Sequence, residues 1–206
     1  GLITVEEINI TGKINVTSTG TSNVCMGYWD GSPGNPDVSG ANYNVILGYQ
    51  AGNSLASGSI HNVAIGYKAL ENGNGTADYN VAIGSSAGNA FDGIAGTFVG
   101  SSAGLVVTGI NNTCIGKGAG DAIQAGVENT MLGAETAIGS HGDDNCTVIG
   151  YHTQGQGDNT VVIGNCDITK VYLSQDASAE VYCGKVGIGT TNPSYKLHVE
   201  EDTTNP

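Results

Sequence analysis

The chain has little charge, few aromatic residues and very few basic ones. Only 12% of its 206 residues are charged and 6% are aromatic, and 6 basic residues against 19 acidic ones give a formal net charge of −13. A surface of that sign repels phosphate backbones and anionic lipids. Because Lys and Arg are also too few to form a basic patch, the composition argues against nucleic-acid partners and against membrane-surface binding.

Long apolar runs are also missing, so the sequence predicts no direct membrane insertion. The first residues, Gly-Leu-Ile-Thr-Val-Glu-Glu, lack the basic region and apolar core of a secretory signal peptide. The five cysteines include no Cys-x-x-Cys pair, and such an odd, scattered set is typical of reduced, small hydrophobic side chains. This pattern favours folding in a reducing cytoplasm, with disulfides within or between subunits as the alternative.

What the chain does contain is a short repeat that ends in glycine. Its most regular copies read Asn-Val-Ala-Ile-Gly, and its glycines recur at spacings of 14 to 21 residues. A repeat this short cannot bury an apolar face by itself, so successive copies are expected to stack as a solenoid. The nine anchor glycines are Gly27, Gly48, Gly66, Gly84, Gly100, Gly116, Gly133, Gly150 and Gly164.

Each repeat has three apolar columns before its glycine. Val or Thr lies three positions before it and a large apolar residue directly before it, and alternation places these two on one face of a strand. The middle column, which includes Ala64 and Ala82, lies on the other face and is also apolar. One face is expected to line the solenoid interior, and the other needs a partner, most economically an identical chain.

The spacing leaves room for two strands and two turns per repeat, which predicts an all-β chain containing a flat parallel β-roll. About nine rungs at 4.8 Å per step would make this β-solenoid roughly 38 Å long. We expect an N-terminal β-segment at residues 1–22, the β-roll at 23–166 and a C-terminal β-segment with a loose tail at 167–206. Alternating residues predict further strands at 170–173, 180–182 and 195–199.

The repeat Asn-Val-Ala-Ile-Gly-x-x-Ala resembles the head repeat of trimeric autotransporter adhesins, a left-handed parallel β-roll that also occurs in bacteriophage tail fibres. The resemblance covers residues 23–166. Residues 10–17 resemble interwoven β-segments of phage fibre shafts, and residues 185–199 are similar to the stretch that precedes endosialidase-type intramolecular chaperones. The pattern departs from the family before Gly96, where the asparagine is lost, and at Asn145 and Asn159, where it is shifted by one position.

The resemblance implies a homotrimeric fibre in which the β-roll is flanked by interwoven β-segments. It implies a non-catalytic segment of a viral tail fibre or spike, folded in the host cytoplasm and carried on the virion. Its partners would be the rest of the fibre and a host cell-surface receptor, either a glycan or a surface protein. The alternatives are a bacterial trimeric adhesin head at the cell surface, a purely structural spacer and a glycan-degrading tailspike.

Tyrosine follows the anchor glycine in four repeats, which marks a candidate receptor site. An aromatic face beside a carboxylate or amide can cover the C–H surface of a sugar while polar neighbours bond its hydroxyls. A stacked tyrosine ladder that stabilises adjacent rungs is the alternative. The candidate glycan contacts are Tyr28, Trp29, Asp30, Tyr49, Tyr67 and Tyr151.

The other polar residues predict no catalytic, cofactor or metal site. The group His141, Asp143, Asp144, Cys146 and His152 matches no metal-ligand spacing, and a solvated loop explains it better. The acids are scattered over variable loops without a pair suited to glycoside cleavage. No Ser/His/Asp or Cys/His arrangement can be placed by rung position, so we expect a protein that is not an enzyme.

Overall fold

The computed structural model describes residues 23–26, 42–53, 55, 58–72, 77–91, 93–121, 123–174 and 180–201. The chain divides into two units, residues 1–167 and 168–206. Every regular element in the described ranges is a β-strand. None of these ranges contains a helix with the length and hydropathy that a membrane crossing requires.

The first unit is a parallel β-solenoid, which confirms the predicted fold class. Its nine strands form one sheet in which each strand pairs with the next along the chain. Every strand consists of the three residues before an anchor glycine. They are β1 (Val24–Met26), β2 (Val45–Leu47), β3 (Val63–Ile65), β4 (Val81–Ile83), β5 (Thr97–Val99), β6 (Thr113–Ile115), β7 (Thr130–Leu132), β8 (Thr147–Ile149) and β9 (Val161–Ile163).

Between successive strands the described chain consists of turns and bends rather than of a second strand. Outside the strands, the described residues form three isolated parallel bridges, Asn42 with Ile60, Asp78 with Ile94, and Ala137 with Gln154. The expectation of two strands per repeat was therefore wrong. The reason is that residues with positive φ lie before and after each strand from β2 to β9, and such residues turn the chain instead of extending it.

Buried asparagines hold the rungs in register. Asn62 illustrates the pattern: its Oδ1 accepts the backbone N–H of Asn80 at 3.1 Å, and its Nδ2 donates to the carbonyl of Ala77 at 2.5 Å. Its own N–H donates to Oδ1 of Asn44 at 2.8 Å. Each side chain thus satisfies a donor in the next rung and an acceptor in the turn, where both are shielded from water.

Register continues through the rungs that lack this asparagine. At Gly96 the rings of Phe91 and Phe98 fill the space, since a Cβ there would lie 2.6 Å from the Phe98 ring. The N–H of Gly96 still donates to Asn80 Oδ1 at 2.8 Å. In the eighth rung Cys146 occupies the position of the asparagine. Its backbone N–H donates to Asn129 Oδ1 at 2.8 Å, and its thiol sulfur lies 3.1 Å from the Gly157 carbonyl oxygen. The predicted departures therefore do not shift the strands.

The core is the narrow space between the middle strand column and the turns. The middle residues of β2 to β8 are fully buried, so this column lines the interior. The small residues three places after each glycine, from Ala51 to Thr153, are buried beside them. Phe98 fits because neighbouring positions are glycine: a Cβ at Gly104 would lie 2.1 Å from its ring. The core is thin, as the shortage of bulky residues predicts.

The second unit contains two short strands and no buried residue in its described part. β10 (Val186–Ile188) pairs in parallel with β11 (Leu197–Val199). Strands predicted at 170–173 and 180–182 are absent, while the one predicted at 195–199 is present in its last three residues. The predicted segment at residues 1–22 lies outside the described residues.

Candidate functional site

The strands leave two apolar columns on the outer face of the sheet, which we call the outward stripe. It consists of the first and third residue of each strand from β1 to β9, and many of these side chains are well exposed, with Met26 at 62% and Ile83 at 37%. No charged residue belongs to it. The sequence predicted two apolar faces, and the structure shows that this is the one left uncovered.

Three rings form a first aromatic column just before β2, β3 and β4. Tyr43 stacks on His61 with centroids 4.9 Å apart, and His61 stacks on Tyr79 at 5.1 Å. Tyr43 and Tyr79 remain 59% and 57% exposed. His61 was not predicted to belong to this column because it is not a tyrosine. Its place becomes clear only when the repeats are aligned, since Tyr43, His61 and Tyr79 each lie two residues before a strand.

A second aromatic column follows the anchor glycines. Tyr49 and Tyr67 stack with centroids 5.5 Å apart and an interplanar angle of 9°, and Lys68 Nζ lies 5.6 Å from the Tyr67 centroid. Tyr151 does not join them, because four rungs without an aromatic residue at this position separate it from Tyr67. The candidates Tyr28, Trp29 and Asp30 and the anchor Gly27 lie outside the described residues. The pairing of Tyr49 with Tyr67 has the geometry of a stacked ladder.

The charged groups near these columns form small local pairs. Lys68 Nζ lies 2.8 Å from Glu71 Oε1, and this hydrogen bond, assisted by the charge of Glu71, raises the pKa of Lys68. Further along the same side, Glu135 lies 3.7 Å from Lys117 and 3.4 Å from His152. The first pair lies within one turn, whereas the second set connects successive rungs.

The loop that contains His141, Asp143 and Asp144, which was considered as a metal site, uses its carboxylates to accept hydrogen bonds from backbone N–H groups. Asp143 Oδ2 accepts the N–H of Ser140 at 2.7 Å, and Asp144 Oδ1 accepts that of Val127 at 2.8 Å. Among the residues that the structure describes, no group of three or more His, Cys, Asp or Glu side chains could hold a metal ion. Beside the loop, an open depression of about 380 Å³ is lined by Ser140, Asp143, Gln154, Gln156 and glycine backbone.

The two buried thiols are poor nucleophiles. Burial raises the pKa of Cys114 to about 12, so its thiol stays protonated at neutral pH. Burial also raises the pKa of Cys146, although its hydrogen bonds with Thr160 oppose the change. These residues fill the solenoid, as the sequence predicts for reduced cysteines.

The fold places the chain among β-solenoid repeat proteins. No protein family model, characterised protein or solved structure matches the chain. The exposed features of the sheet are the outward stripe, the first aromatic column before β2 to β4 and the second aromatic column after β2 and β3.

Proposed function

We propose that the chain is a non-catalytic segment of a trimeric viral tail fibre that builds a rigid shaft or head and presents a host-recognition surface. The observation that carries this proposal is the outward stripe, two apolar columns without a charge along nine strands. Parallel sheets are normally covered on both faces, and exposed apolar surface of this extent marks an interaction site.

A second and a third copy of the same chain suit this stripe best. The stripe is linear and repeats at every rung, so an identical solenoid presents the same rise and the same side chains. Its uncharged columns also let acidic copies meet without bringing carboxylates together. The number three comes from the resemblance to trimeric autotransporter heads and phage fibres.

The second unit supports association as well. Its strand residues Val186, Ile188, Leu197 and Val199 are exposed, and Tyr182 is among the most exposed aromatic side chains. Two strands without a core are marginally stable in water. Apolar residues from other copies would give β10 and β11 the burial that one chain lacks.

Host attachment is the proposed task of the aromatic columns. Rings beside amide and carboxylate groups bind sugars through their C–H faces, and the acidic surface favours a neutral receptor over an acidic one. Tyr49 and Tyr67 are the two candidates of the predicted set that stack on each other, whereas the exposed Tyr151 lies apart from them. The first aromatic column adds Tyr43, His61 and Tyr79 on the other margin of the stripe.

Attachment can be tested with fluorescently labelled full-length protein on a panel of bacterial strains. We expect saturable binding to particular strains without clearing of their polysaccharide, and at least tenfold weaker binding of the Tyr49→Ala, Tyr67→Ala double variant. Clearing would indicate a glycan-degrading tailspike instead. Absence of binding to every strain would leave the spacer role and reject the attachment role.

A further inference from the structure

Glu71 is unusual for this fold. Among the residues that the structure describes it is the one charged side chain that is buried, with 7% exposed. It lies in the turn after β3, where the neighbouring buried positions hold Ala69 and Leu70. Burying a carboxylate destabilises a fold unless its oxygens are paired and hydrogen-bonded, so the groups that contact Glu71 are of interest.

The Glu71 carboxylate bridges an amine and an amide that belong to successive rungs. Its Oε1 lies 2.8 Å from Lys68 Nζ, and its Oε2 accepts a hydrogen bond from Asn89 Nδ2 at 3.0 Å. The Asn89 amide is fixed on two further sides. Its Nδ2 also donates to the Lys68 carbonyl at 3.2 Å, and its Oδ1 accepts from Asn72 Nδ2 at 2.8 Å.

We propose that Lys68 and Asn89 join in an intramolecular isopeptide bond that links the third and fourth rungs covalently. Glu71 takes a proton from the Lys68 ammonium, and the neutral Nζ attacks the Asn89 Cγ. The Nζ–Cγ bond forms and the Cγ–Nδ2 bond breaks. Glu71 returns its proton to the leaving nitrogen, and the second proton that Nζ loses as it becomes an amide nitrogen passes to water. The products are an amide, ammonia and a released proton, without an oxidant or other co-reactant.

The groups that would transfer protons in this step lie in contact with one another. A carboxylate within hydrogen-bond distance of both nitrogens can accept the proton at Oε1 and give it up at Oε2. The Asn72 N–H points at the oxygen on which negative charge develops during attack. Because Glu71 contacts both nitrogens, the amine and the amide lie on either side of one carboxylate, and their reaction is intramolecular rather than bimolecular. Since the amine must lose its proton, the reaction is expected to be faster at alkaline pH.

The test is the intact mass of the full-length protein. We expect a deficit of about 17 Da, the mass of the ammonia lost, that is complete after incubation at pH 9. Digestion with trypsin and then with a protease that cuts after glutamate should leave the pieces carrying Lys68 and Asn89 joined. Trypsin should not cleave after Lys68.

Variants separate this bond from other losses of ammonia. Lys68→Arg keeps a cation beside Glu71, and Asn89→Ala removes the amide; both should show the full calculated mass, whereas Lys117→Arg should keep the deficit. Glu71→Gln should form the bond at least a hundredfold more slowly. Full mass of the wild type after the incubation would overturn the proposal. A deficit that persists in Lys68→Arg would also overturn it, because cyclisation at the Asn72–Gly73 or Asn74–Gly75 sequences loses the same mass.

Discussion

The anchor glycines and the buried asparagines determine how closely the rungs stack. Both could be found in the sequence, because each recurs at one position of the repeat. What the sequence did not reveal is why Gly96 and Cys146 replace asparagine. That depends on the ring of Phe98 in one rung and on the carbonyl of Gly157 in the other. Phe98 lies in the same repeat as Gly96, and Gly157 lies in the following turn, so these compensations depend on how particular side chains pack, which periodicity alone does not predict.

Replacing Gly66 by alanine should destabilise the solenoid strongly. Gly66 has φ of 130°, and a Cβ there would lie 2.6 Å from the Gly84 carbonyl oxygen. Backbone strain of about 1–3 kcal/mol and a steric clash of similar size should lower the unfolding free energy by about 2–5 kcal/mol. Gly142→Ala is the matched control, since nothing lies within 4 Å of its Cβ position. Denaturant unfolding of both variants measures the difference, and equal losses would contradict the argument.

Cys114 should make stability fall at high pH. Burial raises its folded-state pKa to about 12, above the ordinary 9.0, so the folded protein holds this proton more tightly than the unfolded chain does. The contribution is fully present below pH 9 and is lost as pH rises from 9 towards 12, by up to about 4 kcal/mol. Unfolding free energies measured across this range should fall less in Cys114→Ala than in the exposed-site control Cys166→Ala. Parallel profiles would show that the Cys114 thiol does not titrate as expected.

The strands illustrate what a repeat predicts and what it leaves open. All nine strands could be placed from the residues before each glycine, and their in-register pairing follows from aligning those glycines. The inward face could not be chosen in advance, since Ala82 and its two neighbours Val81 and Ile83 are all apolar and alternation alone does not distinguish interior from exterior. The turns between the strands were mistaken for second strands because positive φ at residues such as Tyr43 and Lys68 cannot be recognised from their side chains.

Two adjacent aspartate variants of β4 should therefore behave differently. Ala82 is fully buried in the interior, so Ala82→Asp places an unpaired charge there and should cost several kcal/mol, enough to disrupt the fourth rung. Ile83→Asp lies on the outward stripe, where a charge can reach water, and should lower the stability of the single chain by about 1 kcal/mol or less. Circular dichroism and thermal unfolding at low protein concentration compare them. Similar unfolding of both variants would contradict the assignment of faces.

Both units of the chain have apolar surface that a single copy leaves exposed. In a solenoid each rung contacts only its neighbours, so the interior is one thin column and the outer face of the sheet stays uncovered. In the second unit, the described residues include none that is buried. A formal net charge of −13 opposes association of identical chains, but the outward stripe contains no charged residue. Contact along this stripe would bury apolar surface while the acidic loops stay in solvent.

Charges placed on the outward stripe should separate the copies without unfolding them. Wild-type protein is expected to have three times the 20.7 kDa mass of one chain in light scattering, and the double variant Ile83→Asp, Ile115→Asp should have the mass of one. Ile110→Asp is the matched control, since Ile110 is similarly exposed but off the stripe. Two other rungs carry aspartate at the position of the repeat that Ile110 occupies, six residues before the anchor glycine. These residues, Asp78 and Asp144, accept hydrogen bonds from backbone N–H groups of the preceding rung at 2.9 and 2.8 Å. A double variant with unchanged mass would place the contact on another face, and a wild-type monomer would remove the trimer altogether.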